Sequence, residues 1–234
     1  MTDIPMIDTL NDLLKDAGMF VRGGFRPGPA DSVPLLADGS PAATVILIGN
    51  AGGALWEAFA PRADWTSRHP LDSWLRPEIE RIASQVGATP VFTNDGPPFV
   101  PLQDWAARAE PVYRSPIGIM IHPEFGLWHV YRAALLFRGE IDLPPRGEAA
   151  NPCDSCAKKP CLSVCPADAF LPDRFDAAAC VGHVDSAAGT TCRTRGCLAR
   201  RACPVGREYL YGKDQQAFHT AALVAAVKRG YGAE

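Results

Sequence analysis

The chain has 234 residues, enough for one large domain or for a medium domain with a small one. Hydrophobic residues make up 47% and charged residues 21%, ordinary values that set aside disordered and fibrous classes. A formal net charge of -3 gives no global basic field, so composition argues against a nucleic-acid partner and leaves function otherwise open.

The opening MTDIPMIDTLNDLLKDAGMF lacks the basic start and continuous apolar run of a secretory signal. Apolar runs such as Thr44 to Ile48 and Ala133 to Phe137 fall far short of the roughly 20 residues that cross a bilayer. The expectation is a cytoplasmic protein away from membranes. Ile7, Leu10, Leu14 and Ala17 recur at helical spacing and Gly18 follows as a stop. Residues 22 to 42, rich in Gly, Pro, Asp and Ser, predict a long loop before a buried strand from Thr44 to Ile48. Gly49-Asn-Ala-Gly52-Gly53 and a short helix around Leu55 to Ala60 come next. That order is similar to a phosphate cradle, but the spacing fits neither Walker A nor GxGxxG, and a tight turn is the plainer reading.

Pro77 is expected to open a further helix with Ile79, Ile82, Ala83 and Val86 on one face. Short strands are predicted near Pro90 to Thr93, Ile117 to His122 and Trp128 to Phe137, with a helix near Leu102 to Ala109. Residues 139 to 152, with Pro144-Pro145, mark a boundary. The chain is therefore divided into an α/β domain at 1–140, a cysteine domain at 141–212 and a C-terminal helix at 213–234 packing back on the core. Asp214 is expected to cap that helix, Ala217, Phe218, Ala221, Ala222 and Val224 to form its apolar face, and Gly230 to close it.

The eight cysteines all lie beyond the boundary, in a compartment where thiols stay reduced, so they read as metal ligands before disulfides. The first group is Cys153-x2-Cys156-x4-Cys161-x3-Cys165-Pro166; the second is Cys180, then Cys192-x4-Cys197-x5-Cys203-Pro204. A bacterial ferredoxin run is C-x2-C-x2-C-x3-C-P, and its fourth cysteine serves the other cluster. The first group departs from it by two inserted residues, the second by wider spacing. Closely spaced thiolates wrap one face of a cubane while a distant one closes the cage. By this logic Cys153, Cys156, Cys161 and Cys203 would hold one 4Fe-4S cluster, and Cys165, Cys180, Cys192 and Cys197 the other. Structural zinc and disulfides remain alternatives, although zinc is favoured by pairs of C-x2-C and only one is present. Arg193, Arg195, Arg200, Arg201 and Arg207 crowd the second group, either to balance anionic clusters or as a solvated or docking face.

The stretch Gly118-Ile-Met-Ile-His122-Pro-Glu-Phe-Gly126-Leu-Trp128-His-Val-Tyr-Arg132, followed by Leu135-Leu136 and Asp142-Leu-Pro-Pro-Arg146, closely resembles cobalamin-processing proteins of the cblC type. The likeness extends more faintly to the strand at Thr44 and to His69-Pro-Leu-Asp72. It implies a nitroreductase-like mixed sheet with flanking helices and removal of the upper ligand of cobalamin by flavin-dependent decyanation or glutathione-dependent dealkylation. A corrinoid-type domain followed by a two-cluster domain also resembles the layout of epoxyqueuosine reductase and the reductive dehalogenases, whose clusters deliver single electrons to cobalt. Together the likenesses cover about residues 43 to 205. They imply a glutathione-contacting arginine at Arg132, a proton donor at Asp95, and cofactor contacts at Gly118, His122, Trp128 and Arg132.

Blander readings stand beside these. His122 suits a satisfied turn histidine, Trp128 and Tyr131 suit core positions, and Gly118 and Gly126 suit turns. Arg132 in an apolar strand needs a partner. The reading that results is an iron-sulfur oxidoreductase passing single electrons through two clusters to a cobalamin or related corrinoid, fed by an external donor. A ferredoxin-like carrier without a corrinoid site and a zinc-stabilised interaction module are the alternatives.

Overall fold

The computed structural model describes residues 5–230. The opening stripe winds into α1 (Met6–Leu14), burying Leu10 and Leu14 completely, and one 3-10 turn carries the chain to Gly18. β1 (Phe20–Phe25) follows at once and runs into the segment 22–42 expected to be loop. Its Gly23-Gly24 pair lowers strand propensity, but pairing across a bulge between Val21 and Gly23 overrides that.

β2 (Thr44–Ala51) runs three residues further than the apolar run alone suggests. Gly49, Asn50 and Ala51 are thus strand, and only Gly52-Gly53 turns the chain into α2 (Ala54–Phe59), so this stretch is no phosphate cradle. α3 (Pro70–Gln85) starts at Pro70 instead of Pro77. Leu71, Leu75, Ile79 and Ile82 form one buried stripe straight past Pro77, so packing outweighs the hydrogen bond that a proline removes. β3 (Thr89–Val91), α4 (Leu102–Ala109), β5 (Met120–Ile121) and β6 (His129–Phe137) follow near their expected places, and β4 (Tyr113–Arg114) is a short strand without a sequence expectation.

The main sheet has the order β1-β2-β6-β3, and its three pairings are all antiparallel. β2 is buried at seven successive positions, which means both its faces are covered and explains an uninterrupted apolar run in an antiparallel strand. Val45, Ile46, Leu47 and Ile48 of β2, Ala133 to Leu135 of β6, and Ile79 and Ile82 of α3 are fully buried. The fold is accordingly α/β, an antiparallel sheet with flanking helices.

The chain forms two compact units. One takes the chain to Pro111 and then His129–Ala149, and so contains the whole sheet; the other takes Val112–Trp128 and the chain from Ala150 onward. The segment Val112–Trp128, read from sequence with the first domain, is grouped with the cysteines. The second unit contains the β4-β5 ribbon, α5 (Pro160–Ser163), α6 (Ala177–Asp185), α7 (Thr190–Arg195), α8 (Leu198–Arg201) and α9 (Lys213–Lys228). α9 packs on α6 and α7. Its N-cap is Gly212, with Asp214 inside the first turn, and its buried residues are Gln215 and Gln216 while Ala221 and Ala222 are exposed. The expected apolar face is therefore not the packed one, because the helix enters the unit by its first turn.

Candidate metal centre

All eight cysteines are free thiols in the second unit. Cys153 and Cys156 sit in turns before α5, Cys161 within it and Cys165 just after it. Cys180 is on α6 and Cys192 on α7, Cys197 is the N-cap of α8, and Cys203 follows that helix. Four short helices thus deliver thiols from stretches remote in sequence.

The electrostatic neighbours of these sulfurs divide them cleanly. Burial pushes the Cys153 thiol up, and the Cys203, Cys161 and Cys156 sulfurs push the same way. Cys161 is raised by burial and then by Cys203 and Cys156, and Cys203 by burial and then by Cys156. On the other side, burial and the nearby Cys197, Cys165 and Cys192 push Cys180 up to about 11. Cys192 and Cys197 are raised by burial and, further, by Cys165. Each thiol that feels another feels one from its own quartet: Cys153, Cys156, Cys161 and Cys203, or Cys165, Cys180, Cys192 and Cys197. Thiols raised in this way hold their protons at neutral pH until a cation displaces them.

Backbone amides are aimed at the same sulfurs. Leu162 donates to Cys161 and Val205 to Cys203, while Leu198 donates to Cys192 and Ala199 and Arg200 to Cys197. These donors favour thiolate over thiol and would carry over to a metal-bound sulfur.

The first quartet walls a cavity. Cys153, Cys156, Cys161 and Cys203 all line it, with Ile121, Leu127, Val205 and several prolines making the rest largely apolar. Lys159 and Ser115 are the other polar residues on its wall. Ile117, Ile121, Leu127, Ala199 and Cys203 form the packed cluster beside it, and Cys165 and Cys197 of the second quartet touch that same cluster. The two quartets therefore share one apolar core. Among the described residues, no three His, Cys, Asp or Glu side chains converge closely enough for a single metal ion. The first quartet instead surrounds a space, and soft thiolates around a dry, shaped space fit a polynuclear cluster.

Cys203 is positioned by an exceptionally close backbone crossing. A Cβ on Gly126 would lie 2.0 Å from the Val205 carbonyl oxygen, and one on Gly206 would lie 2.3 Å from the Phe125 carbonyl carbon. Only glycine permits this approach at either strand, and it fixes the Pro204-Val205-Gly206 segment against the 122–126 turn.

The other expected site residues lie in both units, Asp95 and Arg132 in the first and Gly118, His122 and Trp128 in the second. His122 Nδ1 accepts from the Glu124 and Phe125 amides at 3.1 and 3.2 Å, and its ring stacks on Phe125. Trp128 is 1% exposed and packs edge-on to Tyr211, and the Arg200 guanidinium lies over both rings at 4.5 and 4.7 Å. Both residues have partners within the fold. Gly118, with φ of 77°, has nothing within 4 Å of its Cβ position. Arg132 Nε donates to Asn50 Oδ1 at 2.9 Å. Asp95 has both oxygens engaged, one by Arg76 at 2.6 Å and the other by the Phe92 amide.

The arginines around the second cysteine group divide by task. Arg200 donates from Nε and Nη2 to the Leu127 carbonyl, and Arg193 donates to the Val184 and Ser186 carbonyls, so both brace backbone. Arg195 and Arg207 are exposed. Two features had no sequence signal. Ser115 reaches the cysteine cavity from a segment far upstream with no spacing that links it to the cysteines. Arg22, read as loop, is a buried cation paired with Glu110 at 2.5 Å.

No protein-family model matches the chain, and no curated protein matches it by sequence. Solved structures do. A C. elegans B12-trafficking protein, CblC, a homologue of human MMACHC, matches with a TM-score of 0.51 at 11% identity, over 94% of this chain and 95% of that one. Epoxyqueuosine reductase from Streptococcus thermophilus matches with a TM-score of 0.48 at 16% identity, over 85% of this chain. The chain spans 65% of the length of that reductase. An epoxyqueuosine reductase bound to an epoxyqueuosine-modified tRNA-Tyr stem loop gives 0.48 at 15% identity, over 88% of this chain and 67% of that one. The likeness to CblC is one of fold. No helix among the described residues is long and apolar enough to cross a membrane.

Proposed function

We propose that the chain is an iron-sulfur redox protein that holds two 4Fe-4S clusters in its second unit and passes single electrons to a corrinoid. The observation that carries this is the convergence of Cys153, Cys156, Cys161 and Cys203 on one largely apolar cavity, with Cys180, Cys192 and Cys197 raised by burial and, among sulfurs, by those of the other four alone. Each quartet combines three cysteines from one stretch or its neighbours with a remote one, as in the bacterial ferredoxin pattern whose fourth cysteine serves the other cluster. When bound, such a cluster takes up and releases one electron at a time. The chain's own share is to exclude water with Ile121, Leu127 and Val205 and to aim amides at the sulfurs. Closeness of the quartets around one apolar core supports transfer between the clusters.

The corrinoid part of the reading is supported by the fold shared with a B12-trafficking protein. The engagement of His122 and Trp128 inside the fold favours a second reading, an electron carrier with no corrinoid site. Anaerobic purification with iron and sulfide assay, then titration of reduced protein with cobalamin, separates these. A spectral change in cobalamin is expected; its absence leaves the carrier, and iron-free protein ends both. Colourless protein containing zinc and no sulfide would point to a structural module. Cys203→Ser is expected to abolish the resonance signal of one cluster, as Cys156→Ser does, while Cys180→Ser abolishes the other. Loss of the same signal in Cys203→Ser and Cys180→Ser would defeat the crossed assignment.

A further inference from the structure

Ser115 opens the turn that ends at Gly118, its carbonyl accepting the Gly118 amide at 2.9 Å and its amide donating to the Ile119 carbonyl at 3.0 Å. Its backbone is therefore satisfied within the turn. The side chain is not: Oγ is buried, the residue is 8% exposed, and among the described residues Oγ has no hydrogen-bond partner. A buried hydroxyl without a partner costs about 1–3 kcal/mol, so its retention needs a reason. The place gives one, because Ser115 lines the cavity walled by Cys153, Cys156, Cys161 and Cys203.

We infer that the Ser115 hydroxyl donates its hydrogen bond to a sulfur of the cluster held by the first quartet and so sets the potential of that cluster above what the same cage would give without it. This rests on the cluster reading above and deepens it. A hydroxyl has one proton to donate, and on that wall the side chains other than Lys159 are apolar or bear sulfur, so sulfur is the acceptor class that the wall offers. Hydrogen bonds to cluster sulfurs stabilise the more negative, reduced state and raise the reduction potential. The second quartet is served by backbone amides from Leu198, Ala199 and Arg200, which no side-chain substitution removes. Ser115 is thus a handle on one cluster alone.

The test is anaerobic redox titration of the full chain, each cluster followed by its own electron resonance signal, with Ser115→Ala and Ser115→Thr beside the wild type. Ser115→Ala is expected to keep the full iron and sulfide content, to shift one cluster's potential downward and to leave the other where it was; Ser115→Thr, which keeps the hydroxyl, restores the wild-type value. After exchange into heavy water, electron-nuclear spectroscopy is expected to show one strongly coupled deuteron at that cluster in wild type that Ser115→Ala lacks. Unchanged potentials and deuteron couplings in fully loaded Ser115→Ala protein overturn the inference alone. Loss of a whole cluster in Ser115→Ala also overturns it, by making the residue structural. Wild-type protein without iron overturns the cluster reading first and this inference with it.

Discussion

Replacing Gly126 by alanine tests how Cys203 is held. The new Cβ would lie 2.0 Å from the Val205 carbonyl oxygen and 2.6 Å from its carbon, so the two backbones must part by roughly 1 Å to reach even a tight contact. Gly126 also has φ of 57°, a left-handed conformation that costs a non-glycine residue about 1–2 kcal/mol. Overpacking adds about 1–3 kcal/mol, so Gly126→Ala should destabilise the protein by about 2–5 kcal/mol. The displaced residue is Val205, whose amide donates to the Cys203 sulfur, so the first cluster should be lost as well. Gly118→Ala is the control: φ is 77°, but no atom lies within 4 Å of the new Cβ, leaving only the backbone cost of about 1–2 kcal/mol and a full iron content. Urea unfolding and iron assay of anaerobic protein read both effects. Equal iron content and equal destabilisation in the two variants would refute the argument that the crossing positions Cys203.

Two further substitutions probe how each unit is braced. In the first unit, Arg22 has a fully buried side chain paired with Glu110, and Tyr131 donates to the same carboxylate. Glu110→Ala should cost about 3–5 kcal/mol in urea unfolding because it strands a buried cation, whereas Arg22→Met with Glu110→Leu should recover most of that loss; equal losses in the single and double variants would show that the pair is not the cause. In the second unit, Arg200→Lys removes a paired donation to the Leu127 carbonyl and a guanidinium stacked on Trp128 and Tyr211, so a loss of about 1–3 kcal/mol is expected. Unfolding at the wild-type urea concentration would mean that the stack carries no stability.

The elements that the sequence made legible are those where one pattern acts alone. β2 and β6 are apolar runs, and α1 is a clean stripe. The misreadings occur where a local signal meets tertiary packing. β1 contains Gly-Gly and an arginine, which speak for a loop until β2 pairs with it and Glu110 neutralises Arg22. Pro77 speaks for a helix start until the stripe from Leu71 to Ile82 carries the helix past it. Ser115 had no signal at all, since a lone serine becomes notable only when the fold closes a thiol-lined wall around it. His122 and Trp128, expected as cofactor contacts from their setting in a familiar stretch, also have partners within the fold that spacing alone does not reveal.

Chain order explains why the cysteine unit is not a simple appendage. The chain leaves the first unit after Pro111, contributes Val112–Trp128 to the second, returns as β6, and departs again near Ala149. That excursion supplies Ser115, Pro116, Ile121 and Leu127 to the first quartet's cavity, the Leu127 carbonyl to Arg200, and Gly126 to the crossing that fixes Val205. A fragment beginning at residue 141 has all eight cysteines but none of these groups. The second quartet has its amide donors within α8, so its sulfurs keep their local support in such a fragment. Reconstitution of fragment 141–234 with iron and sulfide should therefore fail to produce the first cluster's signal, and supplying 112–128 in the intact chain should restore it. A fragment that assembles both clusters with wild-type stability would show that the upstream wall is dispensable and that spacing among the cysteines suffices.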